Sequence, residues 1–114
     1  MTWTDFMDSD FTPLQDAVGE WAEATFPKST VGYCLTHLER EVKELDDSFM
    51  DSSEGDDCDA EELADCFLIL LHLAHKTNVS LFDEARKKFA KNQTRTWGEP
   101  DADGVVEHIA EGQQ

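Results

Sequence analysis

Residues 61–76 read EELADCFLILLHLAHK, and across 63–74 Asp65 is the one charged side chain. An apolar run patterned on nearly every side predicts a helix at the centre of a bundle, not on its surface. A carboxylate in such a helix is costly to bury unpaired, so Asp65 calls for a partner. Glu62 stands three residues earlier, on the same helix face, and Ile69 and His72 continue that side. Asp59 is placed to cap the helix, with Glu62 as the reciprocal capping-box side chain. Asn78 suits a left-handed C-terminal cap.

Outward from this segment the helical pattern recurs. Val31, Cys34, Leu35, Leu38, Val42, Leu45 and Phe49 keep a 3-4 spacing, which predicts a helix starting near Ser29 or Thr30 and packed on other helices. Gly32 is its weak point, and His37, Glu41 and Glu44 lie on one flank. Before it, Thr12 caps, Pro13 takes the first helical position and Gln15 completes a capping box. Leu14, Val18, Trp21, Ala22 and Phe26 give that helix an apolar face, with Trp21 expected in the core, and Phe26-Pro27 ends it. Ser80 opens a fourth helix, with Asp83 at the capping-box position, apolar Leu81, Phe82, Ala85 and Phe89, and an end around Asn92 or Thr94. Residues 1–11 read as an irregular arm, and 47–60, DSFMDSSEGDDCDA, as an acidic loop. From Trp97 on, WGEPDADG is turn-rich and VVEHIAEG offers at most one short helix. The fold class is all-α, a four-helix bundle.

The chain of 114 residues predicts one small domain with a tail at 96–114 and a core that is limited when alone. Helical chains of this size often complete their cores by pairing with copies. No run is long enough to span a membrane, and MTWTDFMDSD lacks the basic and apolar regions of a signal peptide. Three cysteines without C-x-x-C spacing fit a reducing cytoplasm. A net charge of −17 argues against direct binding to a nucleic-acid backbone. Yet Arg86, Lys87, Lys88, Lys91 and Arg95, five of nine basic residues, fall within ten positions. This strip is either a local anion site or charge complementing a helix C-terminus.

Glu41 and Glu44 form an E-x-x-E, and Glu62 and Asp65 an E-x-x-D. One such motif alone is an ordinary solvated face. Two, on adjacent helices and each flanking a core stripe, favour a metal site. Four carboxylates drawn together repel and raise each other's pKa, and hard cations with oxygen ligands relieve this, Mg²⁺ foremost and Mn²⁺ as its substitute. Lys88 and Asn92, four apart, share a face with Arg95 following, and all three can donate to phosphate oxygens. Metal-binding carboxylates plus such donors suggest metal-assisted attack on a phosphate chain. His37 and His72 are read as structural before any role beside the metal, and Cys34 and Cys66 as small core residues.

The layout HLEREVKEL, EELADCFLILL, KKFAKNQTRTW resembles the MazG-like, all-α nucleoside triphosphate pyrophosphohydrolases. It is most similar to the small subgroup of dATP/dGTP diphosphohydrolases, several carried by phages. WAEATFP and VVEHI add to the likeness, which covers most of residues 18–109. The resemblance implies a Mg²⁺ site of Glu41, Glu44, Glu62 and Asp65, phosphate contacts from Lys88, Asn92 and Arg95, and cleavage of the α–β bond to monophosphate and pyrophosphate. It also implies dimers or tetramers. His72 stands where relatives often carry a further acidic residue. On this reading two ions hold the triphosphate and activate a water for in-line attack on the α-phosphorus, with Glu41 or Glu61 accepting its proton. Trp97 and Tyr33 are the base-stacking candidates. Purine deoxynucleotides, dGTP or dATP, are the expected substrates. The role is pool control or supply of dGMP, in the host cytoplasm if the chain is phage-encoded.

Two rival readings stand beside it. Asp51, Ser53, Gly55, Asp57, Asp59 and Glu62 imitate the ligand spacing of an EF-hand, although Asp56 occupies the position whose turn demands glycine. A non-catalytic acidic mimic of nucleic acid would need no metal, and would leave the spacing of both motifs unexplained.

Overall fold

The computed structural model describes residues 12–50 and 59–110. Among them are four α-helices, α1 (Thr12–Thr25), α2 (Val31–Met50), α3 (Ala60–Lys76) and α4 (Leu81–Thr94), close to where the apolar spacing predicts them. The described residues divide into two compact units, one running to Leu81 and the other from Phe82. Among the described residues no helix is long and apolar enough to cross a membrane.

In the first unit α3 is central, and both α1 and α2 pack against it. Leu71 and Cys34 are fully buried, with Ala22, Cys66, Ile69 and Ala74 around them. The approach of α1 is set by Gly19. A Cβ built there would fall 2.1 Å from Cγ of His75 on α3, so this crossing exists because one residue has no side chain.

Caps fix the helix ends. Thr30 Oγ1 accepts from the Tyr33 amide (3.0 Å) at the start of α2. Asp59 Oδ1 accepts from the Glu61 amide (2.9 Å) at the start of α3. After α3, Val79 N–H bonds to Ala74 O (3.0 Å) and Asn78 N–H to His75 O (3.3 Å), with Asn78 at φ 57°. This is the Schellman pattern, with asparagine in the left-handed position where its short polar side chain is tolerated.

Two capping expectations give way to longer-range contacts. Gln15 does not fold back on its own helix start. Its Nε2 donates to Val79 O (2.7 Å) and its Oε1 accepts from Leu81 N–H (2.9 Å), joining α1 to the turn after α3. Glu62 is likewise freed from its capping box, because the Asp59 amide donates to Ser48 Oγ (3.3 Å) instead. The expectation that Trp21 is core is also corrected. Trp21 is 61% exposed, lying edge-on to Phe26 with ring centroids 5.6 Å apart. Nor is α3 covered on every side within one chain, since Leu63 is 54% and Leu70 40% exposed.

The second unit carries α4 from Phe82 onward and the segment after it. Among the described residues no helix forms at VVEHI, where the sequence offers at most a short one. Instead the segment doubles back, with Gly98 N–H to Glu107 O (2.9 Å) and Ile109 N–H to Thr96 O (2.8 Å) on either side of an antiparallel bridge between Trp97 and His108. Asp101 closes the turn, its Oδ1 accepting from the amides of Asp103 and Val105, both at 2.9 Å. Gly104, at φ 83°, supplies the left-handed residue there.

A carboxylate cluster beside an aromatic cleft

Neighbouring turns of α2 and α3 bring their acidic flanks together. Glu41, Glu62 and Asp65 each offer a carboxylate oxygen, and these oxygens all lie within 4.8 Å of one another. Glu44, predicted as a fourth ligand, is not among these three groups but lies near enough to repel both Glu41 and Glu62. Burial first, and then the repulsion of Glu44 and Asp65, pushes the Glu41 carboxyl up. Burial first, then Glu44 and Glu41, does the same to Glu62. The field reaches the core beneath, where burial and then Glu41, Asp65 and Glu62 raise the Cys66 thiol.

Glu41 Oε2 and Glu62 Oε2 are buried and have no hydrogen-bond partner among the described residues. Two ionised carboxylates cannot hydrogen-bond each other, since both only accept. Buried polar atoms normally find donors, and two orphaned carboxylate oxygens facing other carboxylates fit a hard cation with oxygen ligands. The donor set therefore suits a divalent metal. His37, one turn before Glu41, places Nε2 3.3 Å from the other Glu41 oxygen, the position of a residue behind a metal ligand. Glu61 is exposed on the first turn of α3 and is not among the three clustered groups. The segment 51–58 of the EF-hand imitation lies outside the described residues. Of its remaining members, Asp59 caps α3 and Glu62 belongs to the cluster.

Glu41 and Asp65 also form one end of a cleft of about 260 Å³ walled by Trp21, Phe26, Tyr33 and His37. Tyr33 sits between two other rings, 6.3 Å from Phe26 and 5.7 Å from His37. At the cleft floor a polar chain ties three helices. Cys34 Sγ lies 3.7 Å from His72 Nδ1, His72 Nε2 is 3.1 Å from Glu23 Oε1, and Lys76 Nζ donates to the same oxygen at 2.8 Å. A carboxylate only accepts, so Nε2 carries the proton and Nδ1 is left to accept from the thiol. Burial raises that thiol, which keeps it protonated for the purpose. Lys76 first, then His72, holds the Glu23 carboxyl below its usual range. His72 is thus structural, as expected. Glu23 carries no local sequence signal.

The predicted phosphate donors lie in the second unit. Lys88 and Lys91 are exposed on α4, and Asn92 and Arg95 are half-buried, with Arg95 Nη1 to Asn92 Oδ1 at 3.4 Å. Arg86 and Lys87 pair with Asp83 and Glu84. Among the described residues no carboxylate pairs with Lys88, Lys91 or Arg95. Partial desolvation, then Arg95 and Lys91, pushes the Lys88 ammonium down. Trp97 donates through Nε1 to Asn92 O at 3.0 Å and stands edge-on to His108.

Comparison with known proteins bears on the family and the fold. A solved structure, the cyanophage S-2L MazG-like pyrophosphohydrolase bound to dGDP and three catalytic Mn²⁺ ions per active site, matches with a TM-score of 0.71 and 26% identity. The match covers 93% of this chain and 99% of that one. A dATP/dGTP diphosphohydrolase of Salmonella phage PMBT28 is 30% identical over 99 residues, 87% of this chain. The chain spans only about a third of that relative's length, 31%. The sequence profile for dATP/dGTP pyrophosphohydrolase matches residues 14–114, and the chain belongs to that family, with a MazG-like all-α fold.

Proposed function

We propose that this chain hydrolyses a purine deoxynucleoside triphosphate, dGTP or dATP, at the α–β bond, releasing the monophosphate and pyrophosphate. The observation that carries the reading is the pair of buried oxygens on Glu41 and Glu62 without a hydrogen-bond partner among the described residues, in a carboxylate cluster whose Glu41 and Asp65 line an aromatic cleft. Family membership and the dGDP and Mn²⁺ of the cyanophage relative support it.

Glu41, Glu44, Glu62 and Asp65 would hold the metal, Mg²⁺ with Mn²⁺ as a substitute. A divalent cation there supplies charge neutralisation to the phosphates and acidity to the attacking water. The nucleoside lies in the cleft, its base against Trp21 and Tyr33, so that the α-phosphate reaches the carboxylates. His37 keeps Glu41 in place. Glu41 or Glu61 takes the proton of the water, and a pH–rate profile of Glu61→Gln separates the two. Lys88, Asn92 and Arg95 steady the charge that builds on the leaving pyrophosphate. The role is pool control or supply of dGMP for further synthesis. Products resolved by chromatography test the reading. Monophosphate with pyrophosphate is expected, and a diphosphate with orthophosphate rules the assignment out.

The same reading includes a homodimer or homotetramer. Leu35, Val42 and Phe49 recur every seven residues on α2, and all three are exposed in the single chain together with Leu63 and Leu70 of α3. A run of large apolar residues at helical spacing is a surface to be covered. Sedimentation equilibrium at micromolar concentration should return at least a dimer, and a monomer refutes this part.

A further inference from the structure

The chain after α4 is ordered around one imidazole. His108 is pinned on both sides by the bonds Gly98 N–H to Glu107 O and Ile109 N–H to Thr96 O. Its ring meets the edge of Trp97, with centroids 6.1 Å apart and planes at 84°. Trp97 in turn is tied to the helix through the Asn92 carbonyl. The atom this framework presents is Nδ1, 3.4 Å from Arg95 Nη1. A guanidinium has only donors and stays protonated, so Nδ1 must accept and His108 is the neutral Nε2–H tautomer. Arg95 is held from its other side by Asn92 Oδ1.

The guanidinium so fixed borders a cavity of about 500 Å³ whose lining includes Lys91, Thr94, Thr96 and His108, and no carboxylate among the described residues. Its described lining is cationic in a chain of net charge −17. Two of the last carbonyls of α4 take donors other than the side chains of Lys91 and Arg95. Thr94 Oγ1 bonds to Lys91 O at 2.8 Å, and Trp97 Nε1 and the Arg95 amide both bond to Asn92 O. The cations are left facing the cavity.

We infer that His108 is a positioning residue. By accepting from Arg95 it aims the guanidinium into the Lys91–Arg95 cavity, which takes a phosphate-class oxyanion, the pyrophosphate end of the substrate. The inference rests on the hydrolase reading for the identity of the anion, and its test does not need turnover.

Calorimetry of the full chain with pyrophosphate and excess Mg²⁺ provides the readout. His108→Phe keeps a ring against Trp97 and removes the acceptor, and should weaken pyrophosphate about tenfold, the scale of a hydrogen bond to a charged group. His108→Asn restores an acceptor near the Nδ1 position and should bind like the parent. Arg95→Ala should lose at least as much, and adding His108→Phe to it should cost nothing further, since the histidine acts only through the arginine. Unchanged binding in His108→Phe, a further loss in the double variant, no recovery in His108→Asn, or a parent that does not bind pyrophosphate would each overturn the inference. If binding behaves as expected while dGTP and dATP are left intact, His108 keeps its role and the hydrolase reading falls alone.

Discussion

Exchanging Glu41, Glu44, Glu62 or Asp65 for its amide, one at a time, should lower turnover of dGTP and dATP by at least about 100-fold, the scale of a lost electrostatic contribution to a transition state. Gln and Asn keep the side chain's size and remove the charge that draws the cation. Added Mg²⁺ should recover part of the loss, because affinity is what was removed. Lys88→Ala is the control. Metal affinity without nucleotide should stay as it is, nucleotide binding and turnover should fall, and extra Mg²⁺ should not help. Stability should move the opposite way from activity. Burial and repulsion raise Glu41 and Glu62, so the folded chain holds their protons more tightly than the unfolded chain does. Without metal, the stability from this source is complete below the usual carboxylate range and is lost as pH rises through the raised values. A cation replaces those protons, so the Mg²⁺-induced rise in Tm should grow with pH. Glu41→Gln and Glu62→Gln should melt no lower than the parent in EDTA, and should lose most of the Mg²⁺-induced rise. Carboxylate variants that hydrolyse both nucleotides as fast as the parent would show that the site is elsewhere.

Gly19→Ala should destabilise the protein by about 1–3 kcal/mol, the usual cost of overpacking. The sign is what matters. Alanine is the better helix former, and at an exposed position in α1 the exchange would gain up to about 1 kcal/mol. Here the new Cβ would meet three atoms of the His75 ring at 2.1–2.5 Å, and these lie too near the ring's attachment to swing aside cheaply. Either α1 lifts from α3 or His75 changes rotamer, and both move the wall that carries Trp21 and Glu23. Urea denaturation gives the loss directly. Adding His75→Ala should return much of it by making room. A Gly19→Ala protein that melts higher than the parent would mean the two helices do not cross this closely.

The ends and spacing of the helices were readable from sequence because their causes are local. Thr30, Asp59 and Asn78 each act within a few residues, and the 3-4 stripe of α2 is a property of one helix. The clustering of Glu41, Glu62 and Asp65 was readable for the same reason, since each motif pairs residues three apart on one helix face and a shared core brings the faces together. The His37–Glu41 pair is a single turn and equally legible. What escaped was set by contacts far apart in the chain. Gln15 and Glu62 both satisfy a capping-box pattern, and both are claimed by other work, by Val79 and Leu81 in one case and by the carboxylate cluster in the other. Glu23 meets His72 across 49 positions, with nothing in either neighbourhood to announce it. The fold-back of residues 96–109 lacks the alternating apolar pattern of a strand pair. It is held by one bridge, an aspartate-closed turn and a tryptophan edge.

Trp21, set out at the rim of the cleft and edge-on to Phe26, is the chain's own optical gauge. An indole in that position emits into water until something slides over it, whereas Trp97, with its N–H committed to a backbone carbonyl, emits from a fixed setting. With Trp3 and Trp97 replaced by phenylalanine, the filling of the cleft can therefore be followed by the colour and quenching of Trp21 fluorescence, with no label attached.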